Sequence, residues 1–410
     1  MQTLFRLASR NLLRSRLRSL ITLAAITCGV CALILAGGFV RDIYIQLGEA
    51  LIHSQSGHLQ LARSEIFGSG SRSPERYLLD DASQWREQLE QLPEVRQVMA
   101  RISFSALLNN GKTDYAIIAD GIEADRENAL GSHLRVIAGR SLQDSDHFGA
   151  MLGEGVAQAL QLQPGDQATL LVSTIDGAMN TLDVDIVGVF RSFSKDFDAR
   201  AVRIGLADAQ TVLDTEGVGK LVIELDETAS TTSVVEHLRH QLTSQPAGKG
   251  LAVQDWQQLN DFYEKTVDLY RQQFGFLKTM VLLMVCLSVI NTVNMSLLER
   301  TWEFGTMRAL GNRSASVSGL IYCESLLLGL CGASLGLLLG AGLATLISGV
   351  GIPMPPPPNA EEGYDAFIRI VPAVAIEAWL IGVLATVIAA IYPAWRVSRM
   401  TIIDALHTRA

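Results

Sequence analysis

Four near-continuous apolar stretches limit what this chain can fold into. They cover residues 20–40, 277–297, 317–347 and 371–392, and each is long enough to cross ~30 Å of hydrocarbon as a helix, which takes about 20 residues. The rest is not lipid-like. Over 410 residues the chain is 49% hydrophobic and 18% charged, with a mean hydropathy of +0.26, a balance that fits membrane spans combined with a water-exposed domain. That domain is the stretch of about 230 residues of ordinary globular composition between the first and second runs.

Charge placement orients the spans, because short cytoplasmic segments carry the Lys/Arg excess. The leader holds Arg6, Arg10, Arg14, Arg16 and Arg18; the segment after the second run holds Arg300, Arg308 and Arg313; the tail holds Arg396, Arg399 and Arg409. These 11 basic residues face only Glu299, Glu303 and Asp404, a balance of +8, whereas the remaining residues, leaving out Glu324 and Glu377 within the apolar runs, sum to −15. Both termini are therefore expected in the cytoplasm and the large domain outside. The predicted segments are a cytoplasmic amphipathic helix at 1–18, spans at 19–41, 272–298, 315–347 and 371–393, an external domain with helical stalks at 42–271, a cytoplasmic helix at 299–314, an external Pro-rich loop at 348–370 and a cytoplasmic tail at 394–410. The leader reads as part of the first span rather than a cleaved signal peptide, since its apolar run is long and no small-x-small cleavage site follows.

All five cysteines (Cys28, Cys31, Cys286, Cys323, Cys331) fall in the predicted spans, so the external domain carries no disulfide. Its pattern is α+β. A helix over 81–98, capped at Asp80 or Asp81 and with a stop near Pro93, precedes strands at 102–108 and 115–122 joined through Asn109, Asn110 and Gly111, a strong hairpin signal. A short helix at 151–162, strands at 168–172 and 181–190, a strand and helix at 202–213, a strand at 221–225 and a helix at 232–242 complete a domain expected in two lobes. Helix over 256–271 then leads into the second span. Pro355 to Pro358 form a stiff, polyproline-like piece.

The segment between the second and third runs is more than basic. Trp302, Phe304, Met307 and Leu310 supply apolar surface among Glu299, Arg300, Glu303 and Arg308, as suits a helix seated in a cleft on a partner. In the third span Gly329, Gly332, Gly336 and Gly340 would let backbones approach closely, as at a helix or dimer interface. Glu324 is costly in hydrocarbon and invites a functional reading; the alternative is a structural one, in which a partner such as Ser325 or a cytoplasm-facing water pocket satisfies it. Nothing reads as a catalytic, metal or cofactor site: there is no phosphate-binding GxxxxGK[ST], and His237 and His240 lack a third ligand. No basic, aromatic-interleaved patch points to nucleic acid.

On these residues the chain resembles the FtsX-like/MacB/Lol permeases of type VII ABC transporters. Their loop E-R-x-x-E-[IF]-G-x-x-R-A-L-G is matched at Glu299, Arg300, Glu303, Phe304, Gly305, Arg308, Ala309, Leu310 and Gly311. The closing Pro393, Ala394, Arg396, Ser398 and Arg399 resemble the family's P-A-x-R-[AV]-S-R ending, and residues 152–166 resemble its L-G-x-x-x-A-x-x-L-x-[LV]-x-x-G-D. The resemblance implies an α-helical membrane protein with four transmembrane helices and a MacB-like periplasmic α+β domain between the first two. It implies a multi-pass protein of the bacterial inner membrane, with a cytoplasmic ATPase dimer holding ATP and Mg on another polypeptide. It implies, too, a second permease copy or a paralogue, and mechanotransmission of ATP-driven movement to the periplasm. Ser56, Gly57, His58, Leu59 and Gln60 after the first span look most like the lipoprotein-releasing LolC/LolE-like permeases, which suggests lipoprotein or lipid extraction, with a periplasmic carrier as a further partner. The long carrier-binding hook of such permeases is absent, since only residues 173–180 separate the relevant strands. The alternatives are efflux of small amphiphiles or peptides, and FtsX-like regulation of a periplasmic cell-wall hydrolase.

Overall fold

The computed structural model describes residues 7–399 except 9, 12, 13, 15, 69–72, 80, 131–133, 313 and 356–362. Arg6, the Asp80 cap, Arg313, Pro356 to Pro358 and the tail from Met400, with Asp404 and Arg409, lie outside the described residues. The helices are α1 Arg16–Leu51, α2 Ala82–Glu90, α3 Ala124–Leu130, α4 Glu154–Leu160, α5 Lys195–Asp198, α6 Leu206–Leu213, α7 Thr231–Ser244, α8 Asp261–Ala309, α9 Ser314–Val350 and α10 Pro372–Arg399. The strands are β1 Leu59–Arg63, β2 Val95–Asn109, β3 Asp114–Ile122, β4 Arg135–Gly139, β5 Gly149–Gly153, β6 Gln167–Ser173, β7 Met179–Arg191, β8 Ala201–Gly205, β9 Lys220–Leu225, β10 Leu251–Asp255, β11 Ile352–Met354 and β12 Tyr364–Ala366. The chain divides into two compact units, one of residues 1–44, 266–354 and 365–410, the other of residues 45–265 and 355–364.

The first unit is helical. α1, α8, α9 and α10 are long and apolar enough to cross a membrane. Ile26, Val30 and Ile34 of α1 pack with Val285 and Val289 of α8, Leu328 and Ala333 of α9, and Val383 and Ala389 of α10. At the end of this bundle away from the leader, buried Asp42 accepts from the Phe367 amide (2.8 Å) and the Arg369 guanidinium (2.7 Å).

Two predicted boundaries move. Helix α8 begins at Asp261 rather than 256, because the Asp255 side chain accepts from the Gln258 amide (2.8 Å) and holds residues 256–259 in a turn. It then continues without a break through Ala309. The predicted span at 272–298 and helix at 299–314 are thus one helix of 49 residues, as expected where Leu, Glu, Arg, Met and Ala follow one another with no proline.

The second unit is built on a mixed ten-stranded sheet of order β10-β1-β9-β2-β3-β8-β5-β7-β4, with β6 pairing with β2 and β7. The β2–β3 hairpin forms at the predicted residues, Asn109 opposite Asp114. The Asn110 side-chain oxygen Oδ1 accepts from the amides of Lys112 and Thr113 (2.9 Å each), and Gly111 takes φ 84°. Residues 81–98, predicted as one helix, are helical only to Glu90. The β-rich run from Val95 joins β9 instead, and Asp81 gives no side-chain cap. The predicted helix at 151–162 starts as strand β5, every residue of which is buried; a short buried apolar run has no period to separate helix from strand.

One face of the 15-residue strand β2 serves two cores. Val98 and Ala100 lie with Trp85 and Leu89 of α2 and Val234 and Leu238 of α7. Ile102, Phe104 and Leu108 lie with Val156 and Leu160 of α4 and Val212 of α6. Among buried polar groups, Arg101 donates three hydrogen bonds of 2.6–2.9 Å to Glu127. Arg101 and Arg203 also donate to the Gln55 (2.7 Å) and Ser54 (3.0 Å) carbonyls of the π-helical turn Ile52–Ser56 that follows α1.

One histidine, His53, lies within that turn and another, His58, follows it. His58 accepts the Leu225 amide at Nδ1 (3.2 Å), so its proton is on Nε2, which donates to Thr228 (3.1 Å). The Thr228 hydroxyl donates to Glu49 (2.7 Å), whose other oxygen lies 3.2 Å from His53 Nε2. Burial, with His53 nearby, pushes His58 down to about 4, whereas the hydrogen bond to Glu49 raises His53.

Candidate functional site

Residues 298–313, of which Arg313 lies outside the described residues, are expected to present one amphipathic surface to a partner. The structure divides them. Phe304, 3% exposed, and Gly305 face inward, where Phe304 joins Ala8, Val317, Ile321, Ala394 and Val397 in a small core against which Met307 also packs. Trp302 (47% exposed), Ala309, Leu310 (86% exposed) and Gly311 face outward. The apolar surface offered outside the chain is therefore carried by Trp302 and Leu310 and not by Phe304 and Met307.

The helix end is set by Gly311. Its amide donates to the Arg308 carbonyl (3.0 Å) and the Asn312 amide to the Met307 carbonyl (3.1 Å), with Gly311 at φ 91°. This is a Schellman cap, which requires a left-handed residue at that position. It ends α8 at Ala309 and leaves the side chain of the next residue, Leu310, at the tip.

The acidic residues of the segment are engaged within the chain. Arg14 donates to Glu303 (2.9 Å) and Arg18 to Glu299. Arg300 donates to the other oxygen of Glu303 (3.0 Å) and to Glu324 of α9 (2.9 Å), lying also 5.1 Å from the centre of the Phe304 ring. The Glu324 oxygen that takes Arg300 also accepts from Asn11 (2.6 Å). Glu324 thus finds its counter-charge in Arg300, not in Ser325, whose buried hydroxyl has no partner among the described residues. Arg18, Ser296, Arg300, Glu324 and Ser325 border a cavity of about 30 Å³. Arg14 and Arg18 escaped notice as site residues because their charge had already been explained by orientation, and Asn11 because it carries none; the spacing of Arg14 and Arg18, four apart, against Glu299 and Glu303, also four apart, was the available signal.

The glycines of α9 pack inside this chain. A Cβ on Gly332 would lie 2.9 Å from Ile26, one on Gly336 2.8 Å from the Thr27 carbonyl, and one on Gly340 3.3 Å from Ile34, all of α1; on Gly329 it would meet Thr386 of α10. Thr27 donates to the Gly332 carbonyl (3.2 Å) across the same contact. The small-residue stripe is an intramolecular interface with α1, which leaves it no room as a dimer interface. In the closing motif Pro393 and Ala394 are buried, Ser398 bonds the Trp395 carbonyl (2.7 Å) and Arg399 lies over the Trp395 ring (4.3 Å), while Arg396 is exposed. Among the described residues no group of three His, Cys, Asp or Glu is placed to hold a metal.

The description "MacB-like periplasmic core domain" matches residues 19–241, more than half of the chain, and "FtsX-like permease C-terminal" matches residues 275–402. LolE, the lipoprotein-releasing system transmembrane protein of Haemophilus influenzae, is 24% identical over 64% of this chain and 65% of its own length, so the chain spans about two thirds of that relative. An uncharacterized ABC transporter permease of Methanocaldococcus jannaschii is 22% identical over 98% of this chain and 96% of its own. The crystal structure of the periplasmic region of MacB from Actinobacillus actinomycetemcomitans superposes with a TM-score of 0.37 at 14% identity, over 53% of this chain and 94% of that one.

Proposed function

Since the chain belongs to the permease family with a MacB-like periplasmic core domain and an FtsX-like C-terminal region, and is an ABC transporter permease of the Lol/MacB type, we propose that it works by mechanotransmission. In this reading a separate cytoplasmic ATPase dimer, which holds ATP and Mg, seats the tip of α8 in a cleft. Closure of that dimer moves α8, and the movement is delivered to a periplasmic domain of two lobes that handles lipoprotein or lipid from the inner membrane. A second permease copy, or a paralogue, completes the membrane unit. The observation that carries the docking is the outward pair Trp302 and Leu310 on a helix end whose other face is fixed to its own bundle. The cargo class rests on the name of the LolE relative.

The test is co-purification with the cognate ATPase. Trp302→Ala combined with Leu310→Asp should weaken capture and ATPase stimulation at least about tenfold, since buried aromatic anchors of interfaces are worth ~2 kcal/mol or more. Unchanged capture would sink the docking assignment. Cross-linking from the external ends of α1 and α8 decides the cargo: recovery of acylated protein supports extraction, and recovery of small amphiphiles alone excludes it.

A further inference from the structure

The pairs made by the amino-terminal residues are ordered. Asn11, Arg14 and Arg18 follow one another at three and four residues, one face of a helix, and the described residues from Leu7 onward are helical. They meet Glu324, Glu303 and Glu299 respectively. Along α8 the order is reversed, with Arg18 opposite Glu299 and Arg14 opposite Glu303, so the two segments run antiparallel with one charge pair per turn. Arg300 ties both ends together by sharing Glu303 with Arg14 and Glu324 with Asn11.

Single exposed ion pairs hold little. Here Arg14, Arg300, Glu303 and Glu324 with the Asn11 amide are linked through shared carboxylates across three elements, with the Arg18–Glu299 pair one turn away, and Arg300 and Glu324 are each only 16% exposed. Ala8 anchors the same segment through its burial beside Phe304 and Ala394.

We propose that the amino-terminal segment is a charge-matched clamp that sets the rotation of the α8 tip. Arg14, Arg18 and Arg300, with Glu299, Glu303 and Glu324, are then positioning residues that keep Trp302 and Leu310 directed outward. The acidic members of the motif are committed inside the chain and do not contact the ATPase. This rests on the docking reading above for its consequence, but the clamp contact itself does not.

The contact is tested in native membranes on the full chain, with the five native cysteines replaced. Arg14→Cys with Glu303→Cys should be bridged by a short bifunctional thiol reagent whose length matches an ion-paired Arg and Glu, and Arg14→Cys with Trp302→Cys, on another face of α8, should not. No bridge in the first pair, or equal bridging in both, overturns the clamp. Its positioning role is tested with the ATPase present: Glu303→Arg should lower stimulated ATP hydrolysis about tenfold, and adding Arg14→Glu should return it to within about threefold of wild type. A loss that the second change does not repair overturns the role, because a side chain needed only by the partner would not be rescued from within the chain. If the wild-type chain neither captures nor stimulates the ATPase, the docking reading fails, and the proposed role with it; the cross-linking result still decides the contact.

Discussion

Arg101 and Glu127 are each 3% exposed and joined by three hydrogen bonds, with Arg203 4.0 Å from the same carboxylate. Glu127→Ala would leave two buried guanidinium groups without their nearest anion, and losing one partner of a buried pair costs roughly 3–5 kcal/mol. A large fall in the unfolding midpoint of the full chain in detergent is the expected result. His58 gives the domain a pH dependence. Its folded pKa of about 4 lies below the ordinary 6.5, so the unfolded state takes up the proton first, and stability falls as pH drops through that window, by roughly 3 kcal/mol when complete. His53, raised by Glu49, acts oppositely: its contribution is full below 6.5 and is lost as pH rises above it. Unfolding measured between pH 6.5 and 4 should be less steep in His58→Asn than in wild type. None of these polar residues was legible as a partner in the sequence, because Arg101 and Glu127 are 26 residues apart and only sheet pairing brings their elements together. Glu324 was legible as anomalous from its apolar surroundings alone, and its partner was not.

Elements announced themselves where periodicity and turn chemistry agreed. The Asn109–Gly111 hairpin, strands β6 to β9, and helices α6 and α7 lie within a few residues of their predicted bounds. Strand β5 was hidden inside a buried run with no alternation. The glycine spacing of α9 was legible as close packing, but whether the neighbour was another chain or α1 depended on the tertiary arrangement. Gly336→Val should destabilise the bundle by about 1–3 kcal/mol, the usual cost of overpacking, because the added Cβ would sit 2.8 Å from the Thr27 carbonyl, which cannot rotate away. Gly311→Ala meets no neighbouring atom but places a Cβ in the left-handed region, at a cost of roughly 1–2 kcal/mol. Lowered thermal stability in the first, and frayed α8 with weaker ATPase capture in the second, would separate the two effects.

For the whole molecule, hydropathy sufficed to find four candidate membrane helices, and motif order sufficed to place the family. Composition could not show which face of the 298–312 segment turns inward, since Phe304 and Trp302 are alike in hydrophobicity and differ only in azimuth. That division has a consequence for how the subunits associate. With Glu299 and Glu303 already satisfied by Arg18, Arg14 and Arg300, the outward surface at the tip is dominated by uncharged carbon from Trp302 and Leu310. Capture of the ATPase should therefore hold between about 0.1 and 1 M salt, over which the screening length shrinks from ~10 to ~3 Å. It should weaken on cooling, as contacts driven by the release of water do.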